Sequence, residues 1–157
     1  GRQIQESIIL HHQAKDKKEA LSMARDLLEL VRLPHPQRIL RSYPHQLSGG
    51  MNQRVMIALG LSSKPKLLIA DEPTSSLDVT VEAEIIRMLL ELKEKLRFSI
   101  LFITHNLALA ERFASRIAIM YKGKIVEEGL TKDIFSSPQH PHTQELINSI
   151  IRMQKNK

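Results

Sequence analysis

Two stretches of this sequence combine residue types that could handle phosphate. Within Tyr43-Pro44-His45-Gln46-Leu47-Ser48-Gly49-Gly50-Met51, the triplet Ser48-Gly49-Gly50 puts a hydroxyl and side-chain-free backbone where a helix should begin. Backbone N–H groups and the positive end of the helix dipole favour an anion at such a start, and glycine allows its close approach. Further on, Leu67-Leu68-Ile69-Ala70-Asp71-Glu72-Pro73-Thr74 is an apolar run that ends on two carboxylates. The first could hold Mg²⁺, directly or through water, and the second could accept a proton from an attacking water. His105 follows a second apolar run and could hydrogen-bond a terminal phosphate or orient that water. Each residue also has a plain structural reading: an ordinary Ser N-cap, a solvent-facing acidic pair, a hydrogen-bonding histidine. Asp78, at an expected helix start, is either an N-cap or a contact across a subunit interface.

The elements that must position these residues alternate between helical and strand patterns. Asp16-Lys17-Lys18-Glu19 resembles a capping box. Leu21, Ala24, Leu28 and Val31 then mark one helical face, which Pro34 and Pro36 are expected to end. Ser48 should cap a helix reaching about Ser63, with Val55, Met56 and Leu59 inward. Lys66 to Ala70 reads as a strand covered on both faces. A long helix carries Ile85, Met88, Leu89 and Leu92, and Phe98 to Thr104 is a second buried strand. A helix from Leu107 to Ala114 follows. Arg116 to Tyr121 and Lys124 to Glu127 form a hairpin around Lys122-Gly123. Short helices at Thr131 to Phe135 and Thr143 to Ile151 precede a polar tail, Arg152 to Lys157, expected to fray. The expected fold is α/β, with a helical subdomain over 1–63, an α/β core over 64–151 and the tail at 152–157.

Composition narrows the function classes. The 157 residues are 42% hydrophobic, enough for one domain or part of a larger one. There is no cysteine, which excludes disulfides and thiolate metal sites. No apolar run approaches the length of a membrane span, and the start lacks a signal-peptide pattern. The net charge of +6 is spread along the chain, and aromatic residues are only 4%, so no nucleic-acid partner is expected. His11, His12, His35, His45, His140 and His142 show no metal-ligand spacing with acids and read as surface residues.

At the residues quoted first, the chain resembles the ATP-binding subunit of an ABC transporter. Leu47-Ser48-Gly49-Gly50-Met51 is similar to that family's signature motif, and Leu67 to Glu72 to its Walker B strand with the catalytic glutamate. Ser75-Ser76-Leu77-Asp78 resembles the D-loop and Thr104-His105 the H-loop, all in the family's order. Tyr43-Pro44-His45-Gln46, Asp78-Val79-Thr80, Met120-Tyr121, Gly123 to Gly129 and Pro138-Gln139-His140-Pro141-His142-Thr143 are similar to the oligopeptide/dipeptide importer subfamily. The nickel importers are close to it. Asn52, Asn106 and Ser75-Ser76 depart from the subfamily's usual residues, and Asn106 puts the fine positioning of His105 in question.

The resemblance implies a P-loop NTPase core and an ATPase that energises oligopeptide or dipeptide uptake. Its cofactors would be ATP and Mg²⁺. Glu72 and His105 would be catalytic, Asp71 would hold Mg²⁺ through water, and Ser48, Gly49 and Gly50 would bind ATP held by a second ATPase subunit in a head-to-tail dimer. Asp78 would contribute to that nucleotide site. Transmembrane permease subunits would be the other partners, holding the protein at the cytoplasmic face of the membrane. No G-x-x-x-x-G-K-[ST] phosphate loop occurs in these residues. The resemblance therefore implies that Walker A, its strand and the Q-loop lie before Gly1. Without them the chain alone should not turn over ATP, and the strand's loss should leave unpaired edges and exposed apolar surface. Two other readings remain at this point: a truncated non-catalytic module that pairs with an intact ATPase or permease, and a soluble ABC-type ATPase acting on nucleic acid, which the flanking motifs disfavour.

Overall fold

A computed structural model describes residues 1–75 and 77–155, with side chains through residue 149. Ser76 of the D-loop-like stretch and the last two tail positions lie outside the described residues. The chain divides into two compact units, Gly1–Ile103 and Thr104–Lys157.

The first unit begins with α1 (Arg2–Leu10), which sequence reading did not assign; Ile4 and Ile8, one turn apart, are buried on one side. In α2 (Lys17–Leu30) the Asp16 carboxylate accepts the Glu19 N–H at 2.8 Å. The Glu19 carboxylate, however, takes the N–H of Lys15 at 2.7 Å, so the expected capping box is displaced by one residue. The buried face is Ala20, Ala24 and Leu28, and Leu21 is exposed. The helix stops at Leu30 because Arg32 turns into the left-handed region (φ 60°), ahead of either proline.

After α3 (Pro36–Arg41) and a 3-10 turn over Pro44–Gln46 comes α4 (Gly49–Leu61), capped by Ser48. Its buried residues are Ile57, Ala58 and Leu61, whereas Met56, expected inward, is 59% exposed. Apolar residues surround this helix on nearly every side, so periodicity alone could not choose the face. Arg54, with only 14% of its side chain exposed, donates to the Val31 carbonyl and to the Glu84 carboxylate, each at 3.2 Å. It thereby joins α4 to the end of α2 and to α5 (Val79–Leu96). The core of the unit includes Ile85, Met88, Leu89 and Leu92 of α5, the face read from the sequence. An Arg32–Glu91 ion pair lies outside it.

The helix α5 connects β1 (Leu67–Asp71) to β2 (Ser99–Ile103), which pair in parallel from Leu67↔Ser99 to Asp71↔Ile103. Both strands were expected to be covered on two faces. Instead Leu67, Ile69, Leu101 and Ile103 stand 46–61% exposed on one face, and only the Leu68, Ala70, Ile100 and Phe102 face is half-buried.

The second unit contains α6 (Leu107–Phe113), the antiparallel hairpin β3 (Arg116–Tyr121) and β4 (Lys124–Leu130), α7 (Thr131–Ser136) and α8 (Pro141–Lys155). Lys122 and Gly123 both have positive φ, as a tight two-residue hairpin requires. The strand β4 runs three residues beyond the Glu127 expected as its end. Proline at the first position of α8 starts that helix earlier than expected and it continues past Ile151. Ile117, Ile119, Ile134 and Ile147 form this unit's small core. No helix among the described residues is long and apolar enough to cross a membrane.

The bare apolar face of the β1–β2 pair should lead this 157-residue chain to self-associate. The double substitution Ile69→Thr/Leu101→Thr should lower concentration-dependent light scattering. Scattering equal to that of the unsubstituted chain would assign the association to another surface.

Candidate functional site

The two carboxylates leave the end of β1 in different ways. Asp71 closes the strand, opposite Ile103, while Glu72 has a φ of 41°, in the left-handed region that favours glycine. Such a backbone costs energy unless its surroundings hold it. Here the Glu72 N–H donates to the Ile103 carbonyl at 2.9 Å. The Glu72 carbonyl accepts the N–H of Ser75 at 3.3 Å and its hydroxyl at 3.2 Å. Both acidic side chains are exposed.

The turn that follows is tied down at its base. Thr74 is buried, and its hydroxyl donates to a Glu82 carboxylate oxygen at 2.6 Å. The Leu77 N–H returns to the Thr74 carbonyl at 3.1 Å. Asp78 is the N-cap of α5, its Oδ1 accepting the N–H groups of Thr80 (3.1 Å) and Val81 (3.0 Å).

The start of α4 lies against this same turn. The Ser48 hydroxyl accepts the Met51 N–H at 3.3 Å and its carbonyl the Asn52 N–H at 2.9 Å, which leaves the N–H groups of Gly49 and Gly50 as the ones this opening turn can offer to an anion. A Cβ added at Gly49 would come within 3.2 Å of the Leu77 Cδ2 atom, and one at Gly50 within 2.7 Å of the Val81 Cγ1 atom. The glycines therefore have a packing reason within the chain itself, besides the phosphate approach expected from sequence. Asn52, one of the departures, donates to the Pro44 carbonyl at 2.9 Å and holds the preceding turn on α4.

Ser48, Gly49, Gly50, Asp71, Glu72 and Asp78 thus belong to the first unit. His105, exposed, belongs to the second and follows β2 by two residues in the chain. Asn106 next to it caps α6, its Oδ1 accepting the Leu109 N–H at 3.1 Å. Asparagine does here what an aspartate could do, so this departure leaves the start of α6 intact.

These residues fit a nucleotide and its divalent ion in a limited sense. Exposed Asp71 and Glu72 offer hard oxygen ligands, and the opening turn of α4 offers N–H groups to an anion. Among the described residues no three His, Asp, Glu or Cys side chains gather to hold a metal.

One pair of side-chain contacts escaped sequence reading. Glu127 of β4 accepts the N–H of Gln139 at 2.8 Å and that of His140 at 3.0 Å, joining two of the flanking stretches quoted above. The Gln139 N–H foremost holds the Glu127 carboxyl below the ordinary Glu range, and the nearby Thr143 hydroxyl and the His140 N–H add to it. The Thr143 hydroxyl is itself buried without a hydrogen bond of normal geometry. The His142 ring lies against that of Tyr121, with centroids 4.1 Å apart and planes tilted by 31°.

Comparison with known proteins places these features in context. Residues 2–75 match the family model described as "ABC transporter", and residues 126–157 match "Oligopeptide/dipeptide transporter, C-terminal region". The chain is 52% identical over 150 residues to the dipeptide transport ATP-binding protein DppD of Haemophilus influenzae, covering 96% of this chain and 45% of that protein. It is 46% identical to a probable peptide ABC transporter ATP-binding protein, y4tR, of Sinorhizobium fredii, covering 96% of this chain and 44% of that one. It is 47% identical to the glutathione import ATP-binding protein GsiA of Escherichia coli, over 96% of this chain and 24% of that one. The chain therefore spans less than half the length of these relatives. Among solved structures, cbiO1 of Clostridium perfringens, part of the ABC transporter complex cbiONQ, matches at a TM-score of 0.69 and 29% identity, over 83% of this chain and 51% of that one. The ATP-binding cassette MJ0796 bound to ADP and Pi matches at 0.64 and 31%, over 75% and 50%.

Two outcomes follow from the geometry. Gly50→Ala should destabilise the chain by about 1–3 kcal/mol through overpacking, and adding Val81→Ala should recover part of that loss in thermal melts. Equal losses with and without Val81→Ala would contradict the contact. Because folding lowers the Glu127 pKa, its contribution is fully present above the ordinary Glu value of 4.5 and is lost as pH falls through the lower folded value. The Gln139 and His140 amide resonances should shift together in that acid range, and Glu127→Gln should abolish the transition.

Proposed function

This chain is part of an ABC transporter ATP-binding domain, and on that premise we propose that it serves an ATPase that hydrolyses ATP to energise import of dipeptides or oligopeptides. One observation carries the reading. The opening turn of α4 and the turn after Asp71 and Glu72 pack on each other in one compact unit, through Gly49 on Leu77 and Gly50 on Val81. Relatives named for dipeptide, peptide and glutathione transport support a small peptide as the cargo.

In this reading Ser48 and the first N–H groups of α4 bind phosphate oxygens of ATP held by a second ATPase subunit, and Asp78 lies beside that junction. Glu72, whose backbone is held in the left-handed region, accepts the proton of the water that attacks the terminal phosphate of ATP held by the same subunit's phosphate loop. His105 orients that water or donates to the phosphate. Asp71 is the residue that would hold Mg²⁺ through water, and the bound ion would neutralise phosphate charge. Catalysis of this kind is chiefly positioning, so these residues need the phosphate loop of an ABC ATPase beside them. The remaining partners are transmembrane permease subunits, met by the helical part up to about residue 63, which keep the protein at the cytoplasmic face of the membrane.

The test is turnover by an ATPase subunit carrying this segment together with a Walker A-bearing half and its partner subunit. Glu72→Gln should lower kcat by about 10²-fold or more. The 157-residue chain alone should show no turnover above its Glu72→Gln control. Unchanged kcat in the assembled Glu72→Gln protein would refute the assignment, and a membrane-vesicle assay with a dipeptide against Ni²⁺ would decide the cargo.

A further inference from the structure

Resting on the ATPase reading, we propose that Glu82 is a positioning residue: its bond to Thr74 locks the turn after Glu72 to the start of α5 and, through it, to the start of α4. The Thr74 hydroxyl is buried two residues after Glu72 and donates to Glu82 Oε1 at 2.6 Å, a charge-assisted bond between residues eight apart in sequence. Glu82 sits in the first turn of α5, where the helix dipole favours a carboxylate. Its own N–H donates to the Asp78 carbonyl at 2.9 Å. The closed loop contains both contacts made on the glycines, Leu77 against Gly49 and Val81 against Gly50.

A shift of the Thr74 turn is therefore passed to the opening of α4 with little slack. An apolar residue at position 82 would leave the Thr74 hydroxyl buried without its acceptor, which costs the desolvation of that hydroxyl. The turn would relax to find another partner, and relaxation here moves both the turn bearing Glu72 and the packing beneath Ser48. Glu82 touches neither nucleotide nor water in this account; it acts through Thr74, Leu77 and Val81.

The experiment uses the same assembled subunit with its partner. Glu82→Ala should lower kcat for ATP by about tenfold or more while KM for ATP moves by less than about twofold. Glu82→Gln, which still accepts the bond, should recover most of that loss. Thr74→Val should match Glu82→Ala, and the double variant should lose no more than either alone. Hydrogen exchange measured by mass spectrometry on the same samples should speed up in Glu82→Ala for peptides spanning both 47–52 and 73–82. Additive losses, a Gln variant as impaired as Ala, or exchange changed only in 73–82 would each overturn the proposal. Should the unsubstituted assembly hydrolyse no ATP, the functional reading fails, and the exchange comparison alone decides the role of Glu82.

Discussion

Leu77 and Val81 rest against the two glycines that open α4, tightly at Gly49 and with no room for a Cβ at Gly50 unless Val81 shifts. This contact makes one object of two segments separated in sequence by a strand and a turn. The opening of α4 has N–H groups to offer an anion, and the end of β1 has two carboxylates. Either alone is a common structural feature. Held at fixed separation, they would couple, in the proposed reading, a segment that meets ATP on a second subunit to the carboxylates that serve the subunit's own ATP, because phosphoryl transfer demands little of a protein beyond placing charge and water correctly.

The remaining features of the first unit hold that object in place. Arg54 pins α4 to the end of α2 and to α5, with most of its side chain out of water. The Thr74–Glu82 bond and the Asp78 cap close the turn from the other side. The left-handed Glu72 is held by the Ile103 carbonyl and by Ser75, so the neighbouring strand stabilises a backbone that glycine would adopt more readily. In the second unit, the Glu127 clamp does a similar service for the stretch that leads into α8.

Much of this was legible in the sequence wherever a signal was local. Ile85, Met88, Leu89 and Leu92 repeat at helical spacing and are buried as read. Ser48, Asp78 and Asp16 are short oxygen-bearing side chains at helix starts and do cap them. The misreadings arose where tertiary packing decides. The sides of α4 are nearly all apolar, so its inward face depends on what α2 and α5 offer. The β1 and β2 strands read as doubly covered because their residues are apolar, yet one face is bare. The motifs themselves gave the position of the candidate site. The second role of Gly49 and Gly50, and the bond from Thr74 to Glu82, could not be read because each joins residues whose proximity only the fold creates.

The most direct measurement is a nuclear Overhauser experiment on methyl-labelled protein, reading proximity between the Gly49 and Gly50 Hα protons and the Leu77 and Val81 methyl groups. Strong cross-peaks are expected from Gly50 to Val81 and from Gly49 to Leu77, since the Val81 Cγ1 and Leu77 Cδ2 atoms stand 2.7 and 3.2 Å from where a Cβ would be. Absent cross-peaks, with the Leu77 and Val81 methyls at the shifts of solvent-exposed side chains, would contradict it. The two candidate segments would then be linked through sequence order alone.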